Sequence, residues 1–509
     1  MAKTVMLMGT SSHVGKSIIT TALCRIFQQQ GQKVIPFKAQ NMALNSYVTK
    51  EGLEMGRAQV AQAEAAGLEP MVVMNPVLLK PTGNSCSQVI INGKPVGNMS
   101  AREYHKGYSL QAFSAVKAAL DKITSEYEIV VIEGAGSPAE VNLKANDIVN
   151  MRVAKYLQAP VLLIADIDRG GALAALVGTL ELLDDDEREL VKGLIINKFR
   201  GDVSLLTPAI DFLEAKTGKP VLGVVPHIEK LGIDDEDSVS LEEKQNTALD
   251  KPINIAVIQT PKLSNFTDFD SLAAEPDVSL YYVQDEADLK NPDMIILPGS
   301  KNTTEDLAYI RKSGMEAAIQ KLVVKGTVLF GICGGYQMLG KAIYDPHNVE
   351  SKQKEICGLG YLAMETTFAS EKLTAQVEAE CIKLPLKDGI INAKNIAGYE
   401  IHMGKSSFAA TVKHPFVVKG EALPQREMFD GAYSTYGQGE IIGTYIHGVF
   451  DNDDFRRQVL NELRAVKGLN KLPVQINIKM QKERAYNNLA EVVRTNLDME
   501  KLTKIMGAK

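Results

Sequence analysis

The chain has 509 residues, of which 45% are hydrophobic and 23% charged, and its net charge is −6. At roughly 100–200 residues per domain it is too long for one unit, and its composition excludes a disordered or fibrous chain. With no basic excess, nucleic acid is not an expected partner.

At the N-terminus, MAKTVMLMGTSS turns polar too early for a signal peptide. No apolar run approaches the ~20 residues needed to span a bilayer, so a cytoplasmic protein without a membrane partner is expected. Residues 1–233 alternate short apolar runs with amphipathic stretches. Strands are expected at Thr4–Met8, Lys33–Phe37, Ile129–Ile132, Pro160–Ala165, Gly193–Asn197 and Val221–Val225. Helical spacing marks Ser17–Gln29, Ser109–Ile123, Ala172–Leu183 and Leu205–Lys216. Near-continuous apolar strands joined by helices indicate an α/β domain whose parallel sheet is covered on both faces. Residues 234–251, DDEDSVSLEEKQNTALDK, are acidic and polar and read as a linker. A second alternating block, 252–453, opens with strands at Ile253–Gln259, Met294–Leu297 and Thr327–Gly331, and from Gly358 to Val449 favours strands and loops over helices. Residues 454–509 are mostly helical, with Ala490, Val493 and Leu497 at helical spacing.

The first strand runs into Gly9-Thr10-Ser11-Ser12-His13-Val14-Gly15-Lys16-Ser17 and then a helix. A standard phosphate loop is GxxxxGK[ST]; here Thr10 holds the first glycine position and Gly9 precedes it. The ending Gly15-Lys16-Ser17 is intact. Backbone N–H groups and the helix N-terminus can cradle phosphates, Lys16 can reach the β- and γ-phosphates, and the Ser17 hydroxyl can bind Mg²⁺. Lys38, after the second strand in PFKAQNMALNS, is placed to neutralise a transferring phosphoryl group. Glu133 ends the strand VVIE before Gly134-Ala135-Gly136, where an acid points into the ligand crevice of an open sheet.

In the second block, Gly331-Ile332-Cys333-Gly334-Gly335 has the spacing of a nucleophile elbow with cysteine in place of serine. The glycines permit the strained turn, and the following helix N-terminus favours a thiolate and leaves N–H groups for an oxyanion. The other four cysteines, Cys24, Cys86, Cys357 and Cys381, lack such surroundings; they are too few for a disulfide framework, and no CxxC pair suggests zinc. A cysteine nucleophile needs a base. His447, in GTYIHGVF, follows a strand-like run, and His402, in AGYEIHMGKS, is the second candidate.

The N-terminal loop and the EGAG string resemble dethiobiotin synthetase and related ATP-dependent carboxylate-activating enzymes. That resemblance implies that Glu133 is a Mg²⁺ ligand and that Asn197, in INKFRGD, recognises the base of ATP. Related enzymes carry a metal-binding aspartate in the loop where this chain has Asn41 and Asn45. Asp147, or the pair Asp166 and Asp168, are the alternatives for a third metal ligand. The Cys333 elbow and Leu297-Pro298-Gly299-Ser300, read as an oxyanion loop, resemble the class I, triad-type glutamine amidotransferases. One departure is that Val449 stands where the usual His-x-Glu carries its acid, leaving Glu400 and Asp451 as candidates to orient His447.

Taken together, PFKAQNMALNS, EGAGSPAEVNL, ADIDRGG, INKFRGD, LPGSKNT, GYEIHMG and GTYIHGVFD resemble the cobyric acid synthase family over nearly the whole chain. The resemblance implies ATP and Mg²⁺ as cofactors and glutamine and a corrinoid as substrates. It also implies amidation of the b, d, e and g carboxylates of adenosylcobyrinic acid a,c-diamide through acyl phosphates. The nearest rival is the family of cobyrinic acid a,c-diamide synthases, which are expected to carry acids in the Lys38–Ser46 loop. A MinD/ParA-like ATPase is a rival of another class; its phosphate loop carries an extra lysine near the start, absent here, and it has no reason to carry Cys333.

Overall fold

Strands β1 (Lys3–Gly9), β2 (Val34–Phe37), β3 (Ile129–Glu133), β4 (Val161–Asp166), β5 (Val191–Phe199) and β6 (Val221–Pro226) form one sheet in the order β6-β5-β4-β1-β3-β2. Every pair in it is parallel. Val5 to Met8 and Ile129 to Ile132 are buried without alternation, as strands covered on both faces must be. The computed structural model describes residues 2–83, 85–229, 232–233, 249–425 and 427–507. Most of the expected linker, 234–248, lies outside the described residues.

The chain divides into two compact units. The first comprises Met1–Ala43, Met55–Glu236 and Met480–Lys509; the second comprises Leu44–Glu54 and Asp237–Lys479. In the first, helix α1 (Lys16–Gln29) follows β1 directly. Because β1 lies between β3 and β4, the chain must cross in opposite directions on either side of it, and a ligand crevice opens at the carboxyl ends of these strands. A second sheet of Gln40–Met42, Val77–Gly83, Cys86–Ile91 and Lys94–Ser100 falls outside the expected elements. Its edge strand, KPVGNMS, is largely exposed and has no apolar run to reveal it.

The second unit repeats the parallel plan. Strands β7 (Ile253–Ile258), β8 (Val278–Val283), β9 (Met294–Leu297) and β10 (Val328–Ile332) lead to a long hairpin, β11 (Met364–Leu386) and β12 (Gly389–Phe408). The chain then returns through β13 (Ala432–Tyr436) and β14 (Gly439–Thr444). The main sheet has the order β8-β7-β9-β10-β14-β13 and is parallel except for the β13-β14 pair. Helix α2 (Gly334–Met338) follows β10, and α3 (Asp453–Val466) is held by buried ion pairs from Arg456 to Glu275 and from Arg457 and Arg464 to Asp277.

The helical tail expected from residue 454 is divided between the units. Helix α3 belongs to the second, whereas most of α4 (Ile478–Asn496) and all of α5 (Met499–Ile505) belong to the first. There Tyr486, Leu489, Ala490 and Val493 share a core with Ile19, Leu23 and Ile26 of α1. Among the described residues no helix is long and apolar enough to cross a membrane.

Candidate active sites

The sharp turn between β1 and α1 is made at Gly15, whose φ of +95° suits glycine. A β-carbon there would also collide with the amide of Asn197. That amide donates to the Val14 carbonyl at 2.8 Å and so fastens the carboxyl end of β5 to the loop. Lys16 Nζ donates to the carbonyls of Ser11 (3.1 Å) and Gly136 (3.2 Å), folding the lysine back over the loop. Thr10 N–H is bound to the Ile164 carbonyl at 2.9 Å, which fixes the loop's first residue to β4. Helix α1 begins without a side-chain cap and without an acid in its first turn, so its N-terminal dipole is left for an anion.

Glu133, fully buried at the end of β3, gathers the other polar groups. Its Oε1 accepts from Ser17 Oγ at 2.8 Å and from Lys38 Nζ at 2.9 Å, and its Oε2 accepts from Gln62 Nε2 at 2.5 Å. Five residues expected to bind ATP and Mg²⁺ (Lys16, Ser17, Lys38, Glu133 and Asn197) thus make short contacts around one loop, with Gly9 packed closely against Val14 and Lys16. Gln62 is an addition, from a helical stretch that no motif marked.

The three aspartates considered as a further metal ligand have other partners. Asp147 accepts from the N–H groups of Val149 and Asn150, serving the turn that follows it. Asp166 pairs with Lys198 at 3.0 Å, and Asp168 with Arg200 at 3.1 Å. Asn41 bonds Gln59 at 3.0 Å. Among the described residues no group of three His, Cys, Asp or Glu side chains is set to hold a metal. The oxygen pair of Ser17 and Glu133 nevertheless suits Mg²⁺, which takes one or two protein oxygens and completes its shell with water and phosphate.

In the second unit, Cys333 links β10 to α2 with φ 50° and ψ −105°, a conformation rare for a residue with a side chain. Such backbone strain costs on the order of 1–3 kcal/mol and persists where the surroundings over-determine it. The surroundings here are close: β-carbons at Gly331, Gly334 or Gly335 would strike the Tyr336 nitrogen, the Ser300 nitrogen or the Leu297 carbonyl. Helix α2 is only five residues long, too short to lend much of a macrodipole. The charge beside Cys333 comes instead from His447, to which it is hydrogen-bonded.

His447 lies three residues beyond β14, the strand paired with β10, so two adjacent strands deliver thiol and imidazole to one place. Its Nδ1 is 2.7 Å from Asp268 Oδ2, while Asp268 Oδ1 accepts from the Gly448 N–H at 3.0 Å. The ring stacks on Tyr399 at 5.1 Å between centroids. Burial opposes a charge on this imidazole, but the Asp268 carboxylate, the charge of Cys333 and hydrogen bonds to both outweigh it, and the His447 pKa is raised from 6.5 to about 10.

No motif in the sequence marks Asp268; the acids expected in this place are Glu400 and Asp451. Glu400 instead meets His402 Nε2 at 3.1 Å. His402 has its Nδ1 at 2.8 Å from the Gly404 carbonyl and stacks on Tyr445, so both ring nitrogens face oxygen partners. The turn that carries Asp268, Phe266–Phe269, is held by Leu44–Glu54: Asn45 Oδ1 accepts from the Phe266 N–H, Asn265 Oδ1 accepts from the Ser46 N–H, both at 3.0 Å, and Tyr399 donates to the Ser46 carbonyl at 3.1 Å. Gly299 sits against His447, and Ser300 Oγ donates to buried Asp306 at 2.6 Å. Burial pushes the Asp306 carboxyl up to about 6, against its hydrogen bonds from Ser300 and Thr260.

Residues 5–240 match the family described as the CobQ/CobB/MinD/ParA nucleotide binding domain, and residues 254–455 match the CobB/CobQ-like glutamine amidotransferase domain. Among relatives of similar length, the cobyric acid synthase of Pelotomaculum thermopropionicum is 53% identical over 100% of this chain and 97% of its own. That of Moorella thermoacetica is 53% identical over 100% of this chain and 98% of its own. The corresponding protein of Clostridium botulinum is 50% identical over the whole of both chains. Two sites of this kind, in this order and with relatives alike from end to end, lead to one conclusion: the chain belongs to the cobyric acid synthase family.

Proposed function

We propose that this chain is an ATP- and glutamine-dependent amide ligase acting on the b, d, e and g carboxylates of adenosylcobyrinic acid a,c-diamide. One observation carries the reading: a phosphate loop wired to a buried carboxylate and a strained Cys333 bonded to His447 occur in the same chain. A solvated carboxylate does not react usefully with ammonia. Its oxygen first attacks the γ-phosphorus of ATP, the β–γ bridge breaks, and ADP leaves. Lys16 and the N–H groups at the start of α1 stabilise the charge on the phosphoryl oxygens. Ser17 and Glu133 are the groups that would hold Mg²⁺, which when bound offsets phosphate charge. Lys38 is held beside them by Glu133, ready to approach the same oxygens.

In the second unit, Cys333 passes its proton to His447 and attacks the amide carbon of glutamine. The C–N bond breaks, His447 returns the proton to the leaving nitrogen, and ammonia is released. Water then cleaves the glutamyl thioester to glutamate. Asp268 keeps the His447 ring in the required orientation and favours its charged form. Ammonia attacks the acyl phosphate, phosphate leaves, and a carboxamide remains.

The test is mass spectrometry of the corrinoid after incubation with ATP, Mg²⁺ and glutamine. Four amides should be gained on the diamide; two amides gained on cobyrinic acid would overturn the substrate assignment. Cys333→Ser should abolish turnover with glutamine and spare turnover with ammonium salts. Survival of the glutamine-dependent reaction would overturn the nucleophile assignment.

A further inference from the structure

The first unit contains a cleft of about 690 Å³ whose wall is one hydrogen bond from the phosphate loop. Gly136, whose carbonyl accepts from Lys16, lies in its wall together with Ala135. A molecule filling the cleft would therefore bring its edge to the lysine that meets the γ-phosphate. Three features of the lining indicate what kind of molecule this is.

Two of its large apolar groups are turned outward. Met42 is 57% exposed and Leu143 is 39% exposed, far more than large apolar side chains in the rest of the crevice. A face of this kind is covered by a flat apolar partner better than by water. Next, the wall at Tyr104–Tyr108 is a π-turn with Gly107 at φ 123°, an irregularity common at functional sites. It sets the Tyr104 hydroxyl 2.5 Å from Gln40 Oε1 and leaves His105 Nδ1 buried without a partner among the described residues. Finally, Arg152 donates to the carbonyls of Asp147 and Ala145, and its charge is felt by the Asp147 carboxylate. Its guanidinium has five N–H donors, more than these two bonds use, and so retains donors for an acidic ligand.

We propose that this cleft receives the corrin macrocycle, with Met42 and Leu143 against the ring face and Gln40, His105, Asn146 and Arg152 towards its carboxyl and carboxamide arms. The assignment rests on the corrinoid reading above and gives it a location. It also accounts for a requirement of that reaction. Four different arms must reach one phosphoryl group in turn, so the ring must be held without its rotation being fixed. Apolar contact is non-directional, and a methionine adapts its shape to each orientation.

Met42→Asp and Leu143→Asp, made singly in the full chain, test it; both positions are exposed, so folding should be retained. A carboxylate set against the ring should raise the Kd for the diamide, read from its absorbance change on binding, about tenfold or more. The KM for the corrinoid should rise in parallel, against at most a twofold rise in the KM for ATP. Partly amidated intermediates should accumulate at every stage. A Kd and KM within twofold of the wild-type values, in a protein that still amidates the diamide, overturn the cleft assignment alone. A wild-type protein that does not amidate the diamide overturns the corrinoid reading and this assignment with it.

Discussion

His447 Nδ1 and Asp268 Oδ2 stand 2.7 Å apart although 179 positions separate them in the chain. The carboxylate that meets this imidazole therefore comes from the turn after β7, not from the strand that leads to the histidine. Asp268→Asn preserves the shape but presents an amide to Nδ1, which permits the wrong tautomer. Glutamine-dependent kcat/KM should fall on the order of 10²–10⁴-fold, as for the acid of other such triads. Turnover with ammonium salts should stay near wild type. Equal loss with both nitrogen donors would place the defect outside the glutaminase.

Stability should carry the mark of the same pair. His447 has a folded pKa raised from 6.5 to about 10, so it binds a proton more tightly when folded. Its contribution to stability is complete below pH 6.5 and is lost as the pH rises towards 10. The thermal midpoint of the wild type should therefore fall more steeply across this window than that of Asp268→Asn, in which the principal charge favouring protonation is gone. Calorimetry at several pH values checks this, and parallel curves would contradict it.

Gly15→Ala should damage nucleotide binding more than folding. The left-handed backbone costs about 1 kcal/mol or more once a β-carbon is present. The collision with Asn197 adds displacement of the amide that pins Val14. ATP affinity, measured by calorimetric titration, should drop at least about tenfold. Unchanged affinity would show that the loop accommodates the methyl group by moving elsewhere.

Asn45→Ala offers a test of the 44–54 segment. Without its oxygen the buried Phe266 N–H loses its acceptor, at a cost of about 1–3 kcal/mol in urea unfolding. Because that N–H begins the turn carrying Asp268, glutamine-dependent turnover should fall while the ammonia-dependent reaction persists. Asn45→Asp keeps an acceptor oxygen and should recover most of the loss.

The parallel strands were legible because burial on both faces leaves uninterrupted apolar runs, as in Ile129–Ile132 and Met294–Leu297. Lys16, Ser17, Glu133, Asn197, Cys333 and His447 could be singled out because each lies near or just beyond the carboxyl end of a strand, where an open α/β sheet gathers its ligand groups. Asp268 had no such mark. NFTDFDSLA contains two aspartates at no fixed spacing from anything, and only the tertiary fold selects one of them. Asn45 was equally silent, since its role is to accept one hydrogen bond from a backbone 221 residues away. The division of the helical tail was hidden too: α3, α4 and α5 all show helical spacing, and nothing in that spacing names the core each joins.

That division has a consequence for synthesis on the ribosome. Chains fold as they emerge, N-terminal portions first. The phosphate loop is made almost at once, yet the core behind α1 needs Tyr486, Leu489, Ala490 and Val493, which are translated after nearly all of the second unit. The nucleotide-binding unit, first in sequence, is the last to be completed. A nascent chain can finish the core around Cys333 before it can finish the one beneath Lys16, because α4 and α5 are the last elements of the first unit to be made.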